Sequence, residues 1–118
     1  MIARVWSARA AEPHIPAYLK HFRNRVLPEL HRVDGFSCVT VLVRSVPAET
    51  NGPAEIEIVV TTLWRSLHAI ARFAGQDSEA AVVADEAAAL LTSFDRRVRH
   101  YDLALSESAE RSQGSRLD

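Results

Sequence analysis

The sequence holds a single cysteine, Cys38, so neither an internal disulfide nor a CxxC metal site can form within the chain. Its four glycines do not fall into a dinucleotide or phosphate-loop pattern. No apolar run is long enough to span a bilayer. The N-terminus lacks the charged-then-apolar pattern of a secretion signal, so a cytoplasmic location is expected. Neither charge sign dominates: 14 lysines and arginines face 15 acids. That balance offers no basic field for nucleic acid or an anionic membrane, and neither is expected as a partner. The one basic run, "DRRVRH" (Asp95–His100), reads as a solvated strand rim. His-x-x-x-His, Ser-His-Asp and paired-carboxylate signatures are missing, and no metal or other cofactor is expected.

What the sequence does have is 47% apolar residues in a chain of 118. That suits one soluble domain with a small core, to which a second subunit would add buried surface. "IARVWSAR" (Ile2–Arg9) alternates and reads as a first strand. Glu12–Val33 reads as a helix, with Ile15, Tyr18, Leu19, Phe22, Val26 and Leu30 on one face. Pro28 should interrupt it, because proline lacks the amide donor. "VDGF" turns the chain, and Phe36–Ser45 is a second, valine-rich strand. "VPAETNGPAE" is a loop, and Ile56–Trp64 a third strand. Ser66 caps a short helix with Leu67, Ile70 and Phe73 apolar, and Gly75 stops it. Asp77 or Ser78 is expected to cap a longer helix, "EAAVVADEAAALLTSF" (79–94), with a buried stripe of Val83, Ala87, Leu90, Leu91 and Phe94. Arg96–Leu105 is the fourth strand, and residues 106–118 read as a polar, disordered tail behind a domain of residues 1–105.

The order β-α-β-β-α-β is the ferredoxin-like α+β plan: a four-stranded antiparallel sheet with helices on one face. A valine-rich open face would then be covered by a second copy, giving a homodimer.

With that order in place, "TTLWRSLHAIARFAG" (61–75), followed by a helix and the closing "RHYDL", resembles the antibiotic biosynthesis monooxygenase domain of the dimeric α+β barrel superfamily. The resemblance covers about residues 1–105. It implies a dimer and a ligand cavity between sheet and helices in each protomer. It also implies, as one activity, cofactor-independent oxygenation of a small aromatic, phenolic or quinol-like compound. The alternative is a non-enzymatic dimeric module that binds a small hydrophobic ligand, heme included. The heme-degrading branch uses an asparagine in the first strand and a tryptophan and a histidine in the helical region after the third. Trp6 stands at the asparagine position, Phe73 falls near the tryptophan, and no histidine occurs between Ala69 and Arg99. Heme degradation by that route is therefore disfavoured.

Strand alternation sorts the candidate residues. Arg4 and Trp6, Cys38 and Thr40, Thr62 and Trp64, and His100 and Asp102 are assigned to a cavity face. Val5, Val39, Val41, Val43, Val59 and Leu63 are assigned to the dimer face, where Arg99 and Tyr101 fit poorly. His100 is the candidate catalytic base, because an imidazole titrates near neutrality; a structural histidine is the other reading. Trp64, Trp6 and Thr62 are candidate substrate contacts, and Trp64 serves equally as a core plug. Arg4 either steadies a substrate oxyanion or pairs with a neighbour such as Asp102. Cys38 reads as an inert buried thiol, and His14, His21, His31 and His68 as solvated.

Overall fold

The computed structural model describes residues 1–47 and 51–109. Part of the predicted loop (48–50) and most of the predicted tail (110–118) lie outside the described residues; 106–109 carry no regular structure.

Strand β1 (Ile2–Ala11) is the centre of an antiparallel sheet. On one side it pairs with β3 (Glu55–Trp64), which pairs in turn with β2 (Phe36–Val46). On its other edge two short strands follow one another: β5 (Arg99–Asp102) against Ile2–Val5, and β4 (Ser93–Phe94) against Ala8–Arg9. Strand order and direction are those of the ferredoxin-like plan, with the fourth position divided in two. Between the two pieces Asp95 bridges to Ser7, its amide donating to the Ser7 carbonyl and its carboxylate accepting from the Ser7 amide.

Period-two burial is clearest in β3, where Ile56, Ile58, Val60, Thr62 and Trp64 are all buried. The same face of β1 carries Arg4, Trp6, Ala8 and Ala10. In β2 the alternation is inverted relative to the sequence expectation. A register shift between Phe36 and Cys38 places Val39 opposite Thr62 and Val41 opposite Val60, so these valines pack on the core. Cys38, Thr40 and Leu42 point to the open face with Leu63, Thr61 and Val59, and Cys38 is exposed rather than buried. Arg99 and Tyr101 share that open face opposite Val5 and Ala3.

The first crossover runs as a 3-10 turn (Glu12–His14), α1 (Ile15–His21), a π turn (Phe22–Val26) and α2 (Leu27–Arg32). The π turn is the interruption that Pro28 demands. In an unbroken α-helix the Pro28 ring would meet the Asn24 carbonyl; widening the turn, with the Leu27 amide bonded back to the Phe22 carbonyl, relieves it. Gly35, at φ 100°, then turns the chain into β2. A Cβ there would lie 2.5 Å from that of Ala69, so only glycine lets α3 (Leu67–Ala74) approach this turn. Ser66 caps α3 by accepting from the Ala69 amide, and Gly75 at φ 92° ends it. Leu67 stays exposed, because Ala69 and Ile70 supply the buried face.

The second crossover corrects the sequence reading. Of the helix expected over 79–94, only α4 (Asp85–Ala88) forms. Ala80 bridges to Arg97, and the carbonyls of Ser78 and Ala80 accept from the Arg4 guanidinium instead of from a helical turn. Asp77 does not cap a long helix: it accepts from the Glu79 amide and pairs with Arg97. Ser93 and Phe94, placed in the helix by their spacing, lie in the sheet. Among the described residues no helix is long and apolar enough to cross a membrane.

Candidate functional site

Between the core face of the sheet and the helices lies a cavity whose floor is β1 and β3 and whose wall is the first crossover. Arg4, Trp6, Val60 and Thr62 come from the sheet; Tyr18, His21, Phe22, Val26 and Leu30 come from α1, the π turn and α2. Phe73 of α3, the Val82–Ala84 segment, Ala87 and Val98 close it. About 80 Å³ is open to the centres of water-sized spheres. At roughly 10–15 Å³ of centre volume per water, that is room for about six waters.

One charge stands in this apolar surround. Arg4 is 5% exposed. Its guanidinium donates to the Ser78 carbonyl and, at 2.8 Å, to the Ala80 carbonyl, and it lies 5.8 Å from the centre of the Phe73 ring. No carboxylate lies within ion-pairing distance of it among the described residues, and Asp102, the partner weighed from sequence, is exposed opposite Ile2. Burial pulls the Arg4 guanidinium down to about 10, which leaves it cationic at neutral pH. Arg4 therefore presents a positive charge to the cavity, balanced among the described residues by carbonyl dipoles and the face of Phe73 and by no anion.

His100 stands opposite Arg4 in the β1–β5 register, with Nε2 3.4 Å from Arg4 Nη1. A guanidinium has no lone pair to offer, so in this contact Nε2 is the acceptor and carries no proton. Burial lowers the His100 pKa, the Arg4 charge lowers it further, and the Glu79 carboxylate opposes both. His100 does not line the cavity. Thr62 and Trp6 do, while Trp64 is wholly buried behind them. The Trp64 indole N–H donates to the Thr62 hydroxyl at 2.8 Å, and its ring lies between Phe36 and Phe73 at 5.4 and 5.6 Å. Trp6 is half-buried, its N–H donating to the Asp95 carbonyl at 2.8 Å.

Two polar wall residues were passed over in the sequence. Tyr18 was placed only in the apolar stripe, and His21 was read as solvated; both line the cavity. The signal was present, since Tyr18 and His21 are three residues apart and so share a helical face. Among the described residues no cluster of three or more His, Cys, Asp or Glu side chains could hold a metal ion.

No protein-family model and no curated protein matches the chain. Solved structures do. A Bacillus cereus protein described as a candidate antibiotic biosynthesis monooxygenase is 18% identical, with TM-score 0.62 over 92% of this chain and 97% of its own. An MhuD variant with two manganese protoporphyrin IX molecules bound per active site is 15% identical, with TM-score 0.63 over 92% of this chain and 100% of its own. The ActVA-Orf6 monooxygenase of Streptomyces coelicolor, in complex with nanaomycin D, is 17% identical, with TM-score 0.54 over 94% of this chain and 92% of its own. The chain thus has the ferredoxin-like fold of the antibiotic biosynthesis monooxygenase structures.

Proposed function

We propose that this protein binds a small aromatic compound through an acidic oxygen and oxidises it with dioxygen, without a resident cofactor. The observation that carries the reading is Arg4, a buried cation facing a mostly apolar cavity, with no carboxylate within ion-pairing distance among the described residues. A phenolate or enolate seated there would supply the missing negative charge, and the apolar walls would hold its rings. A substrate anion of this kind is also what direct reaction with dioxygen requires. In the oxygenation of a ring CH2 group, one oxygen atom becomes the ketone and the other leaves as water. The CH2 carbon supplies the electrons, so no external reductant is needed. ActVA-Orf6, of the same fold, is a monooxygenase whose structure holds the ligand nanaomycin D.

His100 supports this reading as a positioning residue. Its Nε2 faces the guanidinium, so protonating it would set two cations side by side. A neutral His100 instead keeps Arg4 turned toward the cavity.

The test is calorimetric titration with 1-naphthol, together with oxygen uptake on anthrone-type substrates in the presence of chelator and absence of flavin. Arg4→Met should weaken naphthol binding by about 10-fold or more, the scale of a charge-assisted hydrogen bond. Unchanged affinity would remove Arg4 from the site. Binding without oxygen uptake on any substrate would leave a ligand-binding module and no oxygenase.

We further propose a homodimer through the open face, where Leu42 and Tyr101 are exposed beside Val5, Val59 and Leu63. Sedimentation at micromolar concentration should give twice the chain mass; a clean monomer would rule the interface out.

A further inference from the structure

We infer that residues 82–84 are the gate of the cavity, a short piece of chain that moves between two fixed ends, and that Val82 sets how fast a ligand enters and leaves. The inference rests on the cavity being the binding site and adds the route into it.

The first observation is exposure. The sheet floor of the cavity is buried at Arg4, Val60 and Thr62, and the helical wall at Tyr18, Phe22 and Leu30. Of all the residues that line it, Val82 and Ala84 are the exposed ones, and Val82 keeps 49% of its surface. Residues that border a cavity and also meet solvent mark its mouth. Half of Val82 already lies in water, so the closed position gains little from its burial.

The second observation is how the chain on either side is held. Upstream it is fastened to the sheet edge: the Glu79 carbonyl accepts from the Val98 amide at 2.8 Å, and the Ala81 amide donates to the Arg96 carbonyl at 2.9 Å. Arg4 grips the same stretch from inside through the Ser78 and Ala80 carbonyls, and Arg97 grips Asp77 from outside at 2.9 and 3.0 Å. Downstream, the Ala84 carbonyl accepts from the Ala88 amide at 2.9 Å, and α4 is anchored by buried Ala87. Between these ends neither the amide nor the carbonyl of Val82 or of Val83 makes a hydrogen bond among the described residues. Displacing the two valines therefore breaks no backbone hydrogen bond and loses only side-chain contact. A segment tied so weakly opens locally while the rest of the fold stays closed.

The third observation concerns Arg4. A guanidinium has five N–H donors. The Ser78 and Ala80 carbonyls and His100 Nε2 engage three of them, which leaves two for an anionic ligand. Arg4 can thus take a ligand without releasing the strap it holds. The movement that admits the ligand is confined to residues 82–84, and Arg4 fixes one end of it.

A gate and a wall differ in their kinetics. Changing a gate alters the barrier between free and bound states, so association and dissociation change by the same factor. Changing a wall alters the bound state, and the effect falls on dissociation. The experiment mixes the protein with 1-naphthol in a stopped-flow fluorimeter and reads both rates beside the calorimetric Kd. Val82→Ala should raise both rates by about threefold or more and leave Kd within about twofold, because a conformational step slows association. Val82→Phe, which fills the mouth, should lower both. Val60→Ala, on the sheet floor, should weaken binding through dissociation alone. Thermal melts confirm that the variants are folded, and Val82→Ala, a truncation at an exposed position, is the variant to rely on. Rates unmoved by either Val82 substitution, or a change in one rate with Kd altered to match, overturn the inference. If in that case Arg4→Met still weakens naphthol binding, the site at Arg4 stands and only the gate falls. If the wild-type protein binds no naphthol, both fall together.

Discussion

Trp64 and Trp6 lie on the same face of adjacent strands, yet one is sealed and the other borders open space. Trp64 packs against Phe36 and Phe73 and has no exposed surface; its indole N–H is satisfied by Thr62. Trp6 keeps its N–H on the Asp95 carbonyl but turns part of its ring to the cavity beside Arg4. The difference lies in what sits above each. Above Trp64, Gly35 allows α3 to close down on the sheet. Above Trp6, the second crossover is held extended by its hydrogen bonds to Arg4, and the helix that would have filled the space is only four residues long. One end of the core face is built for stability. The other gives up packing and retains a buried charge.

Substitution to alanine should separate the two ends most sharply. Trp64→Ala should cost about 3–5 kcal/mol, the range for a fully buried aromatic, read as a large fall in melting temperature and denaturant midpoint. Trp6→Ala should cost about 1–2 kcal/mol, because its ring is only partly buried, but should weaken ligand binding more than its stability cost suggests. Equal stability losses at the two positions would erase the distinction drawn here.

A smaller effect concerns acid. His100 lies at the open end, and its pKa is lowered by burial and by Arg4. As pH falls through about 6.5, the unfolded chain takes up a proton that the folded chain refuses. Stability contributed by neutral His100 is therefore present above that pH and lost below it, until the folded-state pKa is reached. His100→Gln should flatten this part of the stability curve, measured by chemical denaturation between neutrality and pH 5. An unaltered slope would mean that another group carries the acid response.

How much of this was legible follows from the kind of signal each part sends. The faces of β1 and β3 follow strict alternation, so Arg4, Trp6, Thr62 and Trp64 could be grouped from sequence, and the structure groups them. β2 alternates just as cleanly, but the register shift at Phe36–Cys38 inverts its faces, and nothing local in "FSCVTV" announces that shift. The second helix was over-extended because "EAAVVADEAAALL" has helical spacing and alanine-rich composition. What holds its first part open is Arg4, more than seventy residues away, and a contact at that distance leaves no periodic trace. His21 was missed for a different reason. As a histidine it reads as solvated, although its spacing from Tyr18 and its adjacency to Phe22 place it near the buried face of the helix.

The pairing of Arg4 with His100 also bears on how the chain assembles. The two residues are 96 positions apart, whereas β2 and β3 are joined by a short loop. Closing a long loop costs more entropy than closing a short one, and non-local strands pair late. The β2–β3 hairpin can therefore form early and offer its edge to β1, while β5 is the last strand to arrive. The Ser78–Ala80 segment that binds the Arg4 guanidinium lies on the same long connection and docks only as that connection closes. Desolvation of the charge thus belongs to the closing step of folding, when nearly all the other contacts that oppose its cost are in place.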